Sequence, residues 1–195
     1  MNLSDSFFYV IRIANFISKN IFRMIILKPV AEELSVYYQT YIKYVTEDDM
    51  LEALKMQKDG SQSFLNSIPE SKSMFAYESG KWKLKEVVGH LCDTERILSY
   101  RALRISRNDR TPLSGFEEKD YVPNSNYASR TLANIAEEYR AVGDSTIALF
   151  SNMNEEMYER KGIANQTEVS VRAILFFILS HERHHLKVIR DRYLL

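Results

Sequence analysis

Two histidines near one end of the chain fall where a helix would aim them at a single point. Residues 180–185 read Ser-His-Glu-Arg-His-His within a segment of good helix formers. Successive residues of a helix turn by about 100°. Ile174, Phe177, Ile178, His181, His185 and Val188 therefore share one stripe. One turn apart on a rigid element, two imidazoles can converge on one ion. His184 lies about 60° off the stripe and is the expected outsider. An imidazole in apolar surroundings needs partners for both nitrogens, and a metal satisfies one of them.

The fourth histidine, His90, sits in Lys85-Glu86-Val87-Val88-Gly89-His90-Leu91-Cys92-Asp93-Thr94-Glu95. It lies beside the apolar stripe of its own helix, with Val87 and Thr94 on the same side. Gly89 costs a helix interior about 1 kcal/mol against alanine, which is explained if another element passes close by. Three imidazoles with further positions open is the pattern of a catalytic metal site, whereas structural sites are closed by four ligands. Four histidines placed at random give an i,i+4 pair in about one sequence in ten. Spacing alone therefore leaves a metal site and a set of packed histidines equally open.

Three neighbouring residues bear on the chemistry. His181-Glu182-Arg183-His184-His185 satisfies the H-E-x-x-H pattern of metallopeptidases, in which the glutamate is the base. Those enzymes usually draw a third ligand from further along the chain, and ten residues follow His185, so that reading is set aside. Cys92 falls about 160° around the helix from His90 and is expected to pack rather than attack. Glu95 lands on the apolar stripe. Pairing with an arginine and bonding to a ligand imidazole from behind account for it equally well.

These residues need long helices to position them, and the sequence supplies the signals. Few glycines and prolines and many strong helix formers favour an all-α four-helix bundle. Helices are expected from Thr46 to about Ser67, Leu84 to Arg107, Thr131 to Met153 and Ser170 to Tyr193, with a short one at 154–160 and a turn around Gly162. Residues 28–46 are expected to be partly extended, packing Tyr37, Tyr38, Tyr41 and Tyr44 across the domain. Helical period disappears between Asn108 and Arg130, leaving a long structured loop. As a lid this loop would bring Tyr121, Asn124 and Asn126 over the site; turn formation also explains them.

The chain divides into an apolar extension at 1–27 and one domain at 28–195. Residues 7–27 are apolar but carry Arg12, Lys19 and Arg23, which argues against a membrane span. No basic start or small-residue cleavage pattern marks a signal peptide. An accessory amphipathic helix is the expected reading of 7–27, with peripheral membrane contact as the lesser alternative. Met24 is a conceivable native start. Lys+Arg and Asp+Glu number 26 each, so charge offers no argument for a nucleic-acid partner. A single cysteine excludes an internal disulfide framework and fits a reducing, cytoplasmic setting.

Several segments together resemble the DinB/YfiT-like proteins. They are Gly80-Lys81-Trp82, Lys85-Glu86-Val87, Gly89 to Arg96, Tyr100 to Arg104, Thr111 to Phe116, Asp120-Tyr121-Val122 and Ser180 to Lys187. The resemblance runs from about residue 28 to the end. It implies a four-helix bundle, often a homodimer, in which three histidines hold zinc or nickel; by motif position these are His90, His181 and His185. It also implies activities ranging from metal-dependent hydrolysis to thiol-dependent transfer and isomerisation, with bacillithiol or mycothiol as the low-molecular-weight thiol. A bound divalent ion would ease deprotonation of a thiol, or bring water to a pKa near 7. The expectation is a metal-dependent transferase or hydrolase acting on a small molecule. The alternative is a non-catalytic metal- or ligand-binding bundle, or a stress-response bundle.

Overall fold

The structure is a computed structural model that describes residues 24–195. The expectations for residues 1–23, including most of the apolar extension, lie outside the described residues. Its elements in chain order are α1 (Met50–Ser67), α2 (Leu84–Ser106), α3 (Glu118–Asn124), α4 (Leu132–Ser151), α5 (Glu155–Glu159), the hairpin β1 (Lys161–Ala164) and β2 (Thr167–Ser170), and α6 (Val171–Val188). Short polar residues start the helices. The Asp49 carboxylate accepts from the amides of Leu51 and Glu52, Thr131 from Asn134, Asn154 from Met157 and Ser170 from Ala173. Each such cap is worth about 1 kcal/mol. The helix start expected at Thr46 moves to Asp49, whose carboxylate takes two amides at once.

The four long helices pack as a ring in the order α1–α4–α2–α6 and back to α1. Consecutive helices α1 and α2 therefore lie across a diagonal. The interior separates into two apolar clusters. One contains Leu51, Leu54, Leu98, Ile105, Phe150 and Ile174; the other contains Leu65, Leu84, Leu91, Ile135, Leu186 and Tyr193. On every helix a polar residue falls between them: Lys58 on α1, Glu95 on α2, Thr146 on α4 and Glu182 on α6.

Three expectations change. Residues 28–46 are extended only at single positions such as Val30, Leu34 and Val45, and otherwise form single turns at Ala31–Glu33, Val36–Gln39 and Ile42–Tyr44. Ser35 caps the middle turn, and Tyr38 stacks on Phe177 with ring centroids 4.0 Å apart. The 108–130 segment holds α3 and a further turn at Tyr127–Ser129. Seven residues are too few to display a helical period, and Pro123 inside the element hides it further. The turn expected around Gly162 lies at Asn165-Gln166, where both residues adopt positive φ, 49° and 63°. This is the backbone of a two-residue hairpin turn. Gly162 sits within β1, where a Cβ would meet the Ile105 side chain at 2.7 Å. No helix among the described residues is long and apolar enough to cross a membrane.

Candidate metal centre

Helices α2 and α6 face each other across one side of the ring, and the three expected histidines meet between them. His90 Nε2 lies 3.2 Å from His181 Nε2. A ring nitrogen from each of His90, His181 and His185 falls within 4.8 Å of the other two. His90 and His181 are buried and His185 is half-buried, and all three border one cavity. The Nδ1 of His90 lies 3.3 Å from Thr94 Oγ1 one turn along α2, and Trp82 packs on the same imidazole with ring centroids 4.9 Å apart. Phe177 and Tyr41 border His181. The hydroxyl of Thr94 accepts from Nδ1–H in the tautomer that leaves the Nε2 lone pair of His90 free.

Electrostatics keep this cluster neutral. Burial drives the proton affinity of His90 down, to a pKa of about 4, with a small opposing pull from the Glu118 carboxylate. Burial lowers His181 and His185 well below the ordinary histidine value, and the neighbouring imidazoles lower them further. Three uncharged imidazoles thus present lone pairs near neutral pH. Two nitrogens on one tetrahedral zinc, each at about 2.0–2.1 Å, stand about 3.3 Å apart. The His90–His181 separation and the all-nitrogen donor set fit a divalent transition-metal ion.

His184 turns away and bonds through Nδ1 to the Tyr44 hydroxyl at 3.0 Å. Glu182 also leaves the cluster. It points into the bundle, where it accepts from Lys58 Nζ at 2.8 Å and Ser61 Oγ at 2.5 Å. The glutamate of the H-E-x-x-H pattern therefore does not reach the site. Glu95 pairs with neither an arginine nor a histidine; it takes the other side of Lys58 Nζ at 2.5 Å. Burial raises the Glu95 pKa. Burial pushes Glu182 the same way, but the Lys58 charge and three hydrogen bonds hold it below its ordinary value. Cys92 is fully buried beside Val88, and burial pushes its thiol up to about 12.

The histidines line a cavity of about 1020 Å³ walled by α2, α6, the tyrosine turns, the hairpin and the segment before α3. This segment brings Phe116 and Glu117 to the cavity, and the first residue of α3 adds Glu118. Tyr121, Asn124 and Asn126 line a separate pocket with Asp93 and Arg96. The segment is pinned by backbone bonds from Leu113 N to Ile163 O and from Asn165 N to Leu113 O. Sequence reasoning passed over Arg101, which enters the same cavity. The spacing 90, 94, 98, 101 holds one face of a helix, so the signal was present in the α2 stripe.

Comparison with known proteins agrees with this architecture. A curated protein of Oceanobacillus iheyensis, named as a candidate metal-dependent hydrolase, is 23% identical over 153 residues, covering 75% of this chain and 86% of its own length. The solved structure of YfiT from Bacillus subtilis superposes with a TM-score of 0.62 at 16% identity, covering 85% of this chain and 91% of that one. It is described as a candidate metal-dependent hydrolase with an unusual four-helix bundle topology. A mycothiol-dependent maleylpyruvate isomerase superposes at 0.53 and 16% identity, over 70% of this chain and 58% of that one. The sequence model of the DinB superfamily matches residues 53–189, a span that takes in nearly all of the four long helices and all three converging histidines, and the chain belongs to that superfamily.

Proposed function

We propose that the chain is a metal-dependent enzyme in which His90, His181 and His185 hold one divalent ion, zinc or nickel, for chemistry on a small molecule. The observation that carries this reading is the convergence of three neutral imidazoles on the floor of an open cavity. A purely structural site would be closed by a fourth protein ligand. When bound, the ion supplies Lewis acidity that lowers the pKa of a thiol or water in the site.

The remaining groups act around that point. Thr94 fixes the His90 ring, and Trp82, Tyr41 and Phe177 exclude bulk water from the imidazoles. Glu118 lines the cavity, and its charge acts on His90 and Tyr41. We assign to it the role of taking the proton that the nucleophile gives up. We favour thiol transfer, a reading that the mycothiol-dependent structural neighbour supports. Sulfur bonds to an electrophilic carbon, the thiol proton passes to Glu118 and then to solvent, and the leaving group departs with its electron pair. The names of the relatives support metal-dependent hydrolysis as the sister reaction, in which water replaces the thiol.

The test is an assay of zinc- or nickel-loaded protein for conjugation of cysteine to 1-chloro-2,4-dinitrobenzene and for hydrolysis of p-nitrophenyl acetate. Turnover should require the metal and vanish in His90→Ala, while circular dichroism shows the helices intact. Full turnover in excess chelator would overturn the proposal.

A further inference from the structure

Arg101 is a buried cation that no carboxylate neutralises among the described residues. Its side chain belongs to a residue only 6% exposed, and it takes part in none of the ion pairs of the described residues. One Nη2 donor reaches the Ser114 carbonyl at 2.7 Å, and the guanidinium lies over the Phe116 ring, 5.8 Å from its centroid. These contacts engage one of five N–H donors. They fix the plane of the group without supplying a counter-charge. Arg101 lines the cavity that the three histidines line, and also borders a smaller pocket with Tyr100, Arg104 and Tyr121.

A buried, unpaired guanidinium is costly, so protein interiors pair such charges or present them to an anion. The acids of the same cavity do not fill this role. The Glu118 charge acts on His90 and Tyr41 rather than on Arg101. The titratable groups that bear on Arg101 are the phenols of Tyr38 and Tyr121, not carboxylates. Arg101 follows His90 by eleven residues on the same helix face, which sets their backbones roughly 16 Å apart along α2. Aromatic rings flank the space between: Tyr37, Tyr38, Phe116 and Phe177.

We infer that Arg101 is a carboxylate-binding subsite, and that the cavity takes an elongated organic acid whose anionic end docks on this guanidinium while its apolar body lies along the aromatic wall. The placement of the opposite, reacting end at His90, His181 and His185 rests on the metal-centre reading above; the anion subsite does not. Arg101 thus selects which small molecules present their reactive end to the histidines. Its planar fork suits a carboxylate held by two parallel hydrogen bonds.

The test uses two probes of equal length, 8-mercaptooctanoate and 8-mercaptooctan-1-ol, titrated by calorimetry into metal-free and zinc-loaded protein. In both states wild type should bind the acid about ten-fold or more tightly than the alcohol, the effect of one charge-assisted pair. Arg101→Gln keeps a donor for Ser114 but should bring the two probes within about two-fold. Arg101→Lys, which keeps the charge without the fork, should retain part of the preference and serves if the glutamine variant does not fold. Equal binding of acid and alcohol by wild type, or a preference that survives Arg101→Gln in folded protein, would overturn the subsite. Zinc should tighten both probes together. An Arg101-dependent preference with no zinc effect would support the subsite while overturning the metal centre.

Discussion

The Nε2 atoms of His90 and His181 stand 3.2 Å apart although the two residues are separated by 91 positions in the chain. Two elements position them. Leu84–Ser106 and Val171–Val188 pack side by side; the first presents His90 beside its apolar stripe and the second presents His181 within its own. Because both imidazoles are held neutral by burial, nothing electrostatic resists their approach, and a cation placed between them gains both lone pairs.

Metal should stabilise the fold through these side chains. At free zinc one hundred times its dissociation constant, linkage adds about 2.7 kcal/mol, or roughly 5–10 °C in melting temperature for a chain of this size. His185→Ala should abolish the zinc-dependent increment in a thermal melt. His184→Ala should leave most of it, since that imidazole is engaged with Tyr44. Comparable loss in both variants would mean that the ligand set has been misassigned.

The metal-free protein should lose stability in mild acid. His90 has a pKa near 4 when folded against an ordinary value of 6.5, so the unfolded chain binds more protons between those limits. Stability from this group is therefore present above about pH 6.5 and falls as pH drops toward 4, by on the order of 3 kcal/mol. His181 and His185 shift in the same direction. Urea unfolding of metal-free protein at pH 7 and pH 5 measures this, and a His90→Gln variant should show a shallower decline. An unchanged slope would contradict the burial argument.

Lys58 closes a buried charge layer between the two apolar clusters, bonding Glu95 and Glu182. Lys58→Met leaves two carboxylates facing each other without a cation and should cost about 3–5 kcal/mol in denaturant unfolding. Adding Glu95→Gln and Glu182→Gln should recover much of that loss. A cost under 1 kcal/mol for Lys58→Met would show that water reaches the layer.

The glycine before His90 answers to a specific neighbour. A Cβ at Gly89 would lie 2.3 Å from Tyr127 Cδ2, and the same tyrosine donates its hydroxyl proton to Asp93 at 2.8 Å. Gly89→Ala should lower stability by about 1–3 kcal/mol through overpacking. Tyr127→Leu in the same chain should relieve part of it. The thermal melts of the single and double variants check this, and an unaffected Gly89→Ala protein would contradict the close contact.

Much of this arrangement was legible from spacing. The apolar periods of the long helices and the polar residues Thr131 and Ser170 at two helix starts marked the frame, and the i,i+4 pair with His90 picked out the residues that converge. The Glu95 partner was not legible. A lysine on α1 reaches it only because α1, α2 and α6 share the interior, and no local pattern in one helix reveals a cross-bundle pairing. The cavity wall was hidden for a similar reason. Phe116 and Glu118 face the histidines because Leu113 is stitched to the hairpin, a long-range contact whose only local trace is the left-handed pair Asn165-Gln166. Arg101 was visible as a member of the His90 face, but its lack of a carboxylate partner among the described residues shows only once the bundle is assembled.

The most direct measurement is metal analysis combined with X-ray absorption at the zinc edge on protein reconstituted with one equivalent of zinc, for wild type and for His90→Ala. The account predicts one ion per chain, with three imidazole nitrogens at about 2.0–2.1 Å in wild type and a weakly held ion with fewer imidazoles in His90→Ala. Stoichiometric zinc with an unchanged ligand shell in His90→Ala, or no retained zinc in wild type, would contradict it.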